Sequence, residues 1–279
     1  MIIYARFYCR LSNGTEKTKR IYEDFQRKME KYKLDVGLYR IPIDTEECTY
    51  AERLDKEYGH KEGEECGKDG LKIILSEIYE KVYNKKDYKE AVAYRVWFLQ
   101  SAYTYEAGPP EDVDEWCCKE NKKNGKYNLI QVKPYYIPKR EFMKKNCAQL
   151  DNNGYAVLKE VYEDLLQLGA VEEDFWPVYT KKKEVVCYQL MPQHKVSLRE
   201  INNWKKKIVC PYCGYVNYEE DDRKPLYIDK KTLGKLKILN ATEEMSAGAP
   251  MYLIINKETY EFLSSKYKRM NFEPIFLKE

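Results

Sequence analysis

Residues 155–182 read YAVLKEVYEDLLQLGAVEEDFWPVYTKK, and residues 252–279 read YLIINKETYEFLSSKYKRMNFEPIFLKE. Each opens with an apolar run led by tyrosine. Each continues with helical spacing, through Tyr162, Leu165 and Leu166 in one and Tyr260, Phe262 and Leu263 in the other. Each ends in an aromatic residue, a proline and an apolar pair: Phe175, Pro177, Val178 and Tyr179 against Phe272, Pro274, Ile275 and Phe276. A one-residue offset on either side of the helix aligns them. The pattern predicts a strand–helix–strand unit used twice. Two such units in one sheet need right-handed crossovers, which bury their helices on a face. The expected fold class is α+β, with mixed sheets and the two units flanking a small zinc-knuckle-like insertion at 186–222. The expected division is an N-terminal α+β region, 1–145, and a C-terminal region, 146–279.

The first half is less regular. MIIYARFYCRL, residues 1–11, is β-branched and aromatic and reads as an opening strand. Residues 15–32 place Ile21, Phe25, Met29 and Tyr32 on one helical face. Residues 43–70 read as a helix fragment and a charged loop ending in glycines. LKIILSEIYEKVYNK, residues 71–85, reads as a second amphipathic helix. YKEAVAYRVWFLQSAYTYE, residues 88–106, holds strand formers and is stopped at Gly108, Pro109 and Pro110. Asn124-Gly125 signals a hairpin.

Composition narrows the class. Of 279 residues, 43% are hydrophobic and 34% charged, which fits a globular chain. The 49 basic and 46 acidic residues leave a net charge of +3, so charge alone implies no polyanion partner such as nucleic acid. The 27 tyrosines suit cores and partly wet contact surfaces alike. No apolar run approaches the ~18 residues of a membrane helix, and the N-terminal stretch is too polar for a signal peptide. The expectation is a cytoplasmic protein, where nine cysteines point to metal ligation or buried thiols rather than disulfides.

Cys210-Pro211-Tyr212-Cys213-Gly214 is the sharpest metal signal. A CxxC turn lets two thiolates face one ion, and Gly214 allows the tight turn. Structural zinc needs four ligands, and the expected set is Cys210, Cys213, Cys187 and His194. Cys117 and Cys118, and Cys48, His60 and Cys66 in the charged loop, are further candidates. Cys187, in EVVCYQL, also fits a core strand position.

Catalytic signatures do not appear. The sequence carries no P-loop, GxSxG, HExxH or GxGxxG pattern. The zinc deaminase pattern needs His-x-Glu and a Pro-Cys-x-x-Cys, whereas Val209 precedes Cys210 and His194 is followed by Lys195-Val196. The expectation is a protein without an active site.

The chain from Cys210 onward resembles the C-terminal part of the bacterial double-CxxCG immunity proteins. The matching stretches are CPYCGY at 210–215, LYIDKKTLGKLKIL at 226–239, MYLIINKETYEFL at 251–263 and NFEPIFL at 271–277. The chain has one CxxCG where the family has two. The resemblance implies an immunity protein that binds a co-encoded polymorphic toxin and neutralises it by steric occlusion, in the producing cell's cytoplasm. Two other readings stand beside it. One is a zinc-ribbon nucleic-acid-binding protein using Lys205, Lys206, Lys207, Trp204, Tyr212 and Tyr215. The other is a mobile-element inhibitor of a host defence protein.

Overall fold

The computed structural model describes residues 1–59, 68–76, 79–98, 100–102, 114–116, 129–131, 134–142, 145–150, 154–211, 216–246 and 251–278. The chain divides into two compact units, Met1–Asp87 with Asp222–Pro225, and Tyr88–Asp221 with Leu226–Glu279. The boundary expected at 145/146 falls inside the second unit.

The first unit holds strands β1 (Ile2–Leu11), β2 (Lys33–Asp35), β3 (Leu38–Pro42), β4 (Leu71–Leu75) and β5 (Glu80–Val82). Helix α1 (Glu16–Met29) follows β1, and α2 (Glu46–Tyr58) follows β3. Threonines start both helices: the Thr15 hydroxyl accepts from the Thr18 amide at 3.3 Å, and that of Thr45 from the Cys48 amide at 3.2 Å. The strand order is β2-β3-β1-β4, and every neighbouring pair is antiparallel. This is β-α-β-β-α-β, the split arrangement in which β3 lies between β1 and β2. Gly37, at φ +72°, turns the β2–β3 hairpin where a Cβ would meet the Cys9 carbonyl at 2.6 Å.

Both helices cover one face of this sheet. Phe25 and Met29 of α1 and Cys48, Ala51, Leu54 and Tyr58 of α2 pack on Ala5, Phe7, Cys9, Tyr39, Ile41, Leu71 and Ile73. The helix expected at 71–85 is instead β4, β5 and a short helix, α3 (Lys85–Glu90). Leu71 and Ile73 alternate inward on the sheet's core face, and this period of two prevails over the helical spacing.

In the second unit, β6 (Ala93–Phe98), β7 (Ser101–Ala102), β8 (Asp114–Trp116), β9 (Leu129–Gln131), β10 (Cys147–Leu150) and β11 (Tyr155–Val157) come first. Helix α4 (Lys159–Gln167), β12 (Phe175–Tyr179), β13 (Val185–Leu190), β14 (Lys195–Val196), α5 (Arg199–Asn202), β15 (Lys205–Val209) and β16 (Val216–Glu219) follow. Then come β17 (Leu226–Ile228), α6 (Lys230–Leu233), β18 (Leu239–Thr242), β19 (Met245–Ser246), β20 (Leu253–Asn256), α7 (Lys257–Lys266) and β21 (Met270–Leu277). One sheet runs β12-β13-β11-β10-β7 and a second runs β14-β18-β20-β6-β21-β17. Strands β15, β16 and β19 form a small third sheet, and β8 pairs with β9. The Asn124-Gly125 signal between β8 and β9 lies outside the described residues.

The two repeats are present as strand–helix–strand units: β11-α4-β12 and β20-α7-β21. Each occupies its own sheet, and each is split by an antiparallel strand. Strand β13 separates β11 from β12, and β6 separates β20 from β21. The likeness extends to side chains. Tyr162 stacks on Tyr188 of the dividing strand with centroids 3.9 Å apart and meets Phe175 edge-on at 4.8 Å. Tyr260 stacks on Tyr94 of its dividing strand at 3.7 Å and meets Phe272 edge-on at 5.1 Å. One core joins the repeats, taking Val161 and Leu165 from α4, Leu263 from α7 and residues of both sheets. Asp164 accepts hydrogen bonds from Lys266, at 2.7 Å, and from the Tyr267 hydroxyl. The architecture is α+β with several mixed sheets. Among the described residues no helix is long and apolar enough to cross a membrane.

Candidate functional site

The expected metal ligands are dispersed. Cys210 is buried at the end of β15, where β15 and β16 form a hairpin with Val209 opposite Val216. Cys213 lies outside the described residues, as do Cys66, Cys117, Cys118 and His60. Cys187 lies on β13 in an apolar cluster with Ala102, Tyr135, Ile137 and Phe142. Burial pushes its thiol far up from the ordinary range, which disfavours the thiolate a metal needs. His194 precedes β14 in the other large sheet, and its Nε2 is buried without a hydrogen-bond partner. Cys48 packs beneath α2, where burial raises its thiol to about 12. Among the described residues no three His, Cys, Asp or Glu side chains gather around a common point. Cys187, His194 and Cys210 therefore do not form one ligand set.

The first unit offers a surface instead. Because α1 and α2 cover one face of its sheet, residues alternating with the core point the other way. Along β1 the core residues Ile3, Ala5, Phe7 and Cys9 alternate with Ile2, Tyr4, Arg6, Tyr8 and Arg10. Across β3, Arg40 stands opposite Arg6, Leu38 opposite Tyr8 and Pro42 opposite Tyr4. On the other flank Ile74 faces Tyr8, Lys72 faces Arg10, Glu80 faces Tyr4 and Val82 faces Ile2. Ile2 is 48% exposed, Tyr8 41% and Val82 38%. The face thus combines two tyrosines, three arginines and a lysine with aliphatic neighbours.

Its polar groups are organised. Glu80 accepts from Arg40 through Nε at 2.9 Å and Nη2 at 2.8 Å, and from Arg6 Nη2 at 3.1 Å. Desolvation alone would raise the Glu80 carboxyl, but the two guanidiniums outweigh it and hold the group below its ordinary range. The Arg40 guanidinium lies 3.7 Å from the Tyr4 ring centroid, a cation–π contact. Sequence reading missed this face because tyrosine counts as apolar in a strand pattern. The usable signal was the Tyr-x-Arg-x-Tyr-x-Arg run from Tyr4 to Arg10.

A second polar cluster is internal to the second unit. Arg95 of β6 lies opposite Glu273 of β21 and forms an ion pair with it. Its Nη1 also donates to Glu220 at 2.7 Å, and Glu220 accepts from the Tyr252 hydroxyl at 2.7 Å. The side chains of Arg95, Glu220 and Glu273 are 18%, 7% and 2% exposed. Desolvation would lower the arginine, but Glu273 and Glu220 hold it charged, above its ordinary value. Tyr252 lies 4.4 Å beneath the guanidinium, and Trp204 meets Tyr252 edge-on at 5.6 Å. This cluster is a structural tie: it joins β6, β20, β21 and the segment after β16.

Comparison with known proteins adds no relative: no protein-family model, no curated protein and no solved structure matches the chain.

Proposed function

We propose that this protein is a partner-binding inhibitor, an immunity protein in kind, that docks a target protein on the open sheet face of its first unit and blocks it sterically. The observation that carries this reading is the Tyr4–Arg6–Tyr8–Arg10 face with Arg40, Ile74 and Val82 around it. Tyrosine and arginine dominate binding energy at protein interfaces, because each pairs a large contact area with directional polar groups. No chemistry is needed for such a role. The partner is a co-encoded toxin in the cytoplasm, and Cys210 and Cys213 supply two of the ligands of a structural zinc. Open antiparallel sheets with aromatic and basic residues also suit single-stranded nucleic acid. Ile2, Leu38, Ile74 and Val82 favour protein instead, since bases and phosphates have little use for an aliphatic rim.

The test pairs this protein with the product of the gene beside its own. Co-expression is expected to relieve that product's toxicity, and titration calorimetry to show a saturable complex. Tyr8→Glu, which places a charge in the centre of the face, is expected to abolish both while the circular dichroism melt stays unchanged. No complex with the wild-type protein, or full rescue by Tyr8→Glu, overturns the reading. Zinc content by elemental analysis, lost in Cys210→Ser, tests the metal.

A further inference from the structure

Arg6 and Arg40 sit directly opposite each other on neighbouring strands, so two guanidiniums share one place on an exposed surface. Like charges at that register repel. What relieves them is the carboxylate of Glu80, held by the Arg40 fork through two nitrogens and by Arg6 through a third contact. Glu80 does not come from the continuous part of the sheet. It opens β5, a three-residue strand that among the described residues pairs with Ile2–Tyr4 alone, beyond the stretch of β1 that β4 covers. The planar fork of an arginine matches a carboxylate in geometry as well as charge. Exposed ion pairs of this kind contribute little to fold stability, so exchanging one carboxylate for another costs the fold little. The face as a whole has room for more negative charge. Among the described residues Arg6, Arg10, Arg40 and Lys72 give four cations against Glu80 and Asp35, the latter opposite Leu38, a local balance of two positive charges.

We infer that the Arg6–Arg40 fork is a receptor for an Asp or Glu side chain of the docking protein, and that Glu80 fills it as an internal stand-in until the partner displaces it. The inference rests on the docking reading above and adds the partner's chemistry: an acidic surface in which a carboxylate is flanked by apolar side chains. The apolar flanks meet Ile2, Leu38, Ile74 and Val82, and the carboxylate enters the fork beside Tyr4. Glu80 thereby acts as a gate on affinity, competing with every acidic ligand for the same two arginines.

The probe is a fluorescein-labelled twelve-residue peptide alternating Asp and Leu, read by fluorescence anisotropy against the whole protein. A Lys–Leu peptide and a twelve-nucleotide oligothymidylate are its counterparts. Glu80→Gln, which keeps the shape and removes the charge, is expected to bind the Asp–Leu peptide about threefold more tightly than wild type, the worth of one exposed ion pair. Arg40→Gln is expected to abolish binding, and added salt to weaken it in wild type and Glu80→Gln alike. Asp–Leu binding unchanged by Glu80→Gln, preference for oligothymidylate, or no peptide binding at millimolar concentration overturns the inference. The neighbouring gene product separates the two readings. If it binds wild type and is lost in Tyr8→Glu, yet is indifferent to both Glu80→Gln and Arg40→Gln, docking stands and the carboxylate receptor falls.

Discussion

Replacing Arg95 by Met isolates the electrostatic content of the interior cluster, because Met fills similar volume without the charge. Glu220 and Glu273 then lose the guanidinium they share at 2.7 Å and across the β6–β21 register. Breaking a buried pair from one side costs about 3–5 kcal/mol, since the remaining charge is left in a poor solvent. Arg95 retains 18% exposure, so the lower end, about 3 kcal/mol, is the expectation. At a urea slope of about 2 kcal/mol/M that moves the midpoint down by about 1.5 M. All four tryptophans, Trp97, Trp116, Trp176 and Trp204, lie in the second unit, so tryptophan fluorescence follows this unit alone. In the variant the two carboxylates stay in a poor solvent without their counter-ion, which disfavours the charged form, so folding favours protonation. Stability of the variant therefore recovers as pH falls from about 8 toward 5, and the gap to wild type narrows. A loss below about 1 kcal/mol at pH 8, or a gap that does not change with pH, refutes the account.

Two further expectations concern other parts of the fold. Tyr162→Leu and Tyr260→Leu each remove a stacked and an edge-on aromatic contact, and Tyr260 also loses a longer stack on Tyr88 at 6.0 Å, so each is expected to cost about 1–3 kcal/mol in urea melts, with Tyr260→Leu the costlier by no more than about 1 kcal/mol; one neutral and one costly substitution would break the equivalence of the repeats. Asp24 accepts from Lys28 and Tyr50, and also from Arg27, which together lower its carboxyl to about 2. A depressed folded pKa gives stability that is present above the unfolded value near 3.8 and is lost as pH falls through about 2. Far-ultraviolet circular dichroism of the first unit is expected to show Asp24→Asn weaker than wild type by about 1 kcal/mol at pH 6, a value discounted for partial solvent exposure, and level with it near pH 2; a gap that persists at pH 2 contradicts the assignment.

Much of the fold was legible from local pattern. The repeated stretches at 155 and 252 announced two strand–helix–strand units, and the aligned Tyr162 and Tyr260, Phe175 and Phe272 make equivalent contacts. The faces of α1 and the core position of Cys187 were also visible. Residues 71–75 misled because Leu71, Ile74 and Leu75 satisfy a helical spacing while Leu71, Ile73 and Leu75 satisfy a strand. The compact units divide at Asp87–Tyr88 rather than at 145/146 for a different reason. Strand β6 finds both neighbours, β20 and β21, far along the chain, and pairing at that distance leaves no local trace. The candidate site was half legible. The CxxC motif at Cys210 was legible, and β15 and β16 pair on either side of it. The docking face depended on which side of β1 the helices cover, and composition does not reveal that.

The position of β6 also shapes how this protein is made. Arg95 meets Glu220 across 125 residues of chain. At a synthesis rate of about 5–20 residues per second, roughly 6–25 seconds pass on the ribosome before that carboxylate exists. Throughout that interval AYRVWF is a nascent strand with both hydrogen-bonding edges bare and a charge lacking its counter-ions. The hazardous species for this protein is therefore the half-finished polypeptide, and slower elongation across residues 100–250 should lower its soluble yield more than slower elongation before residue 87.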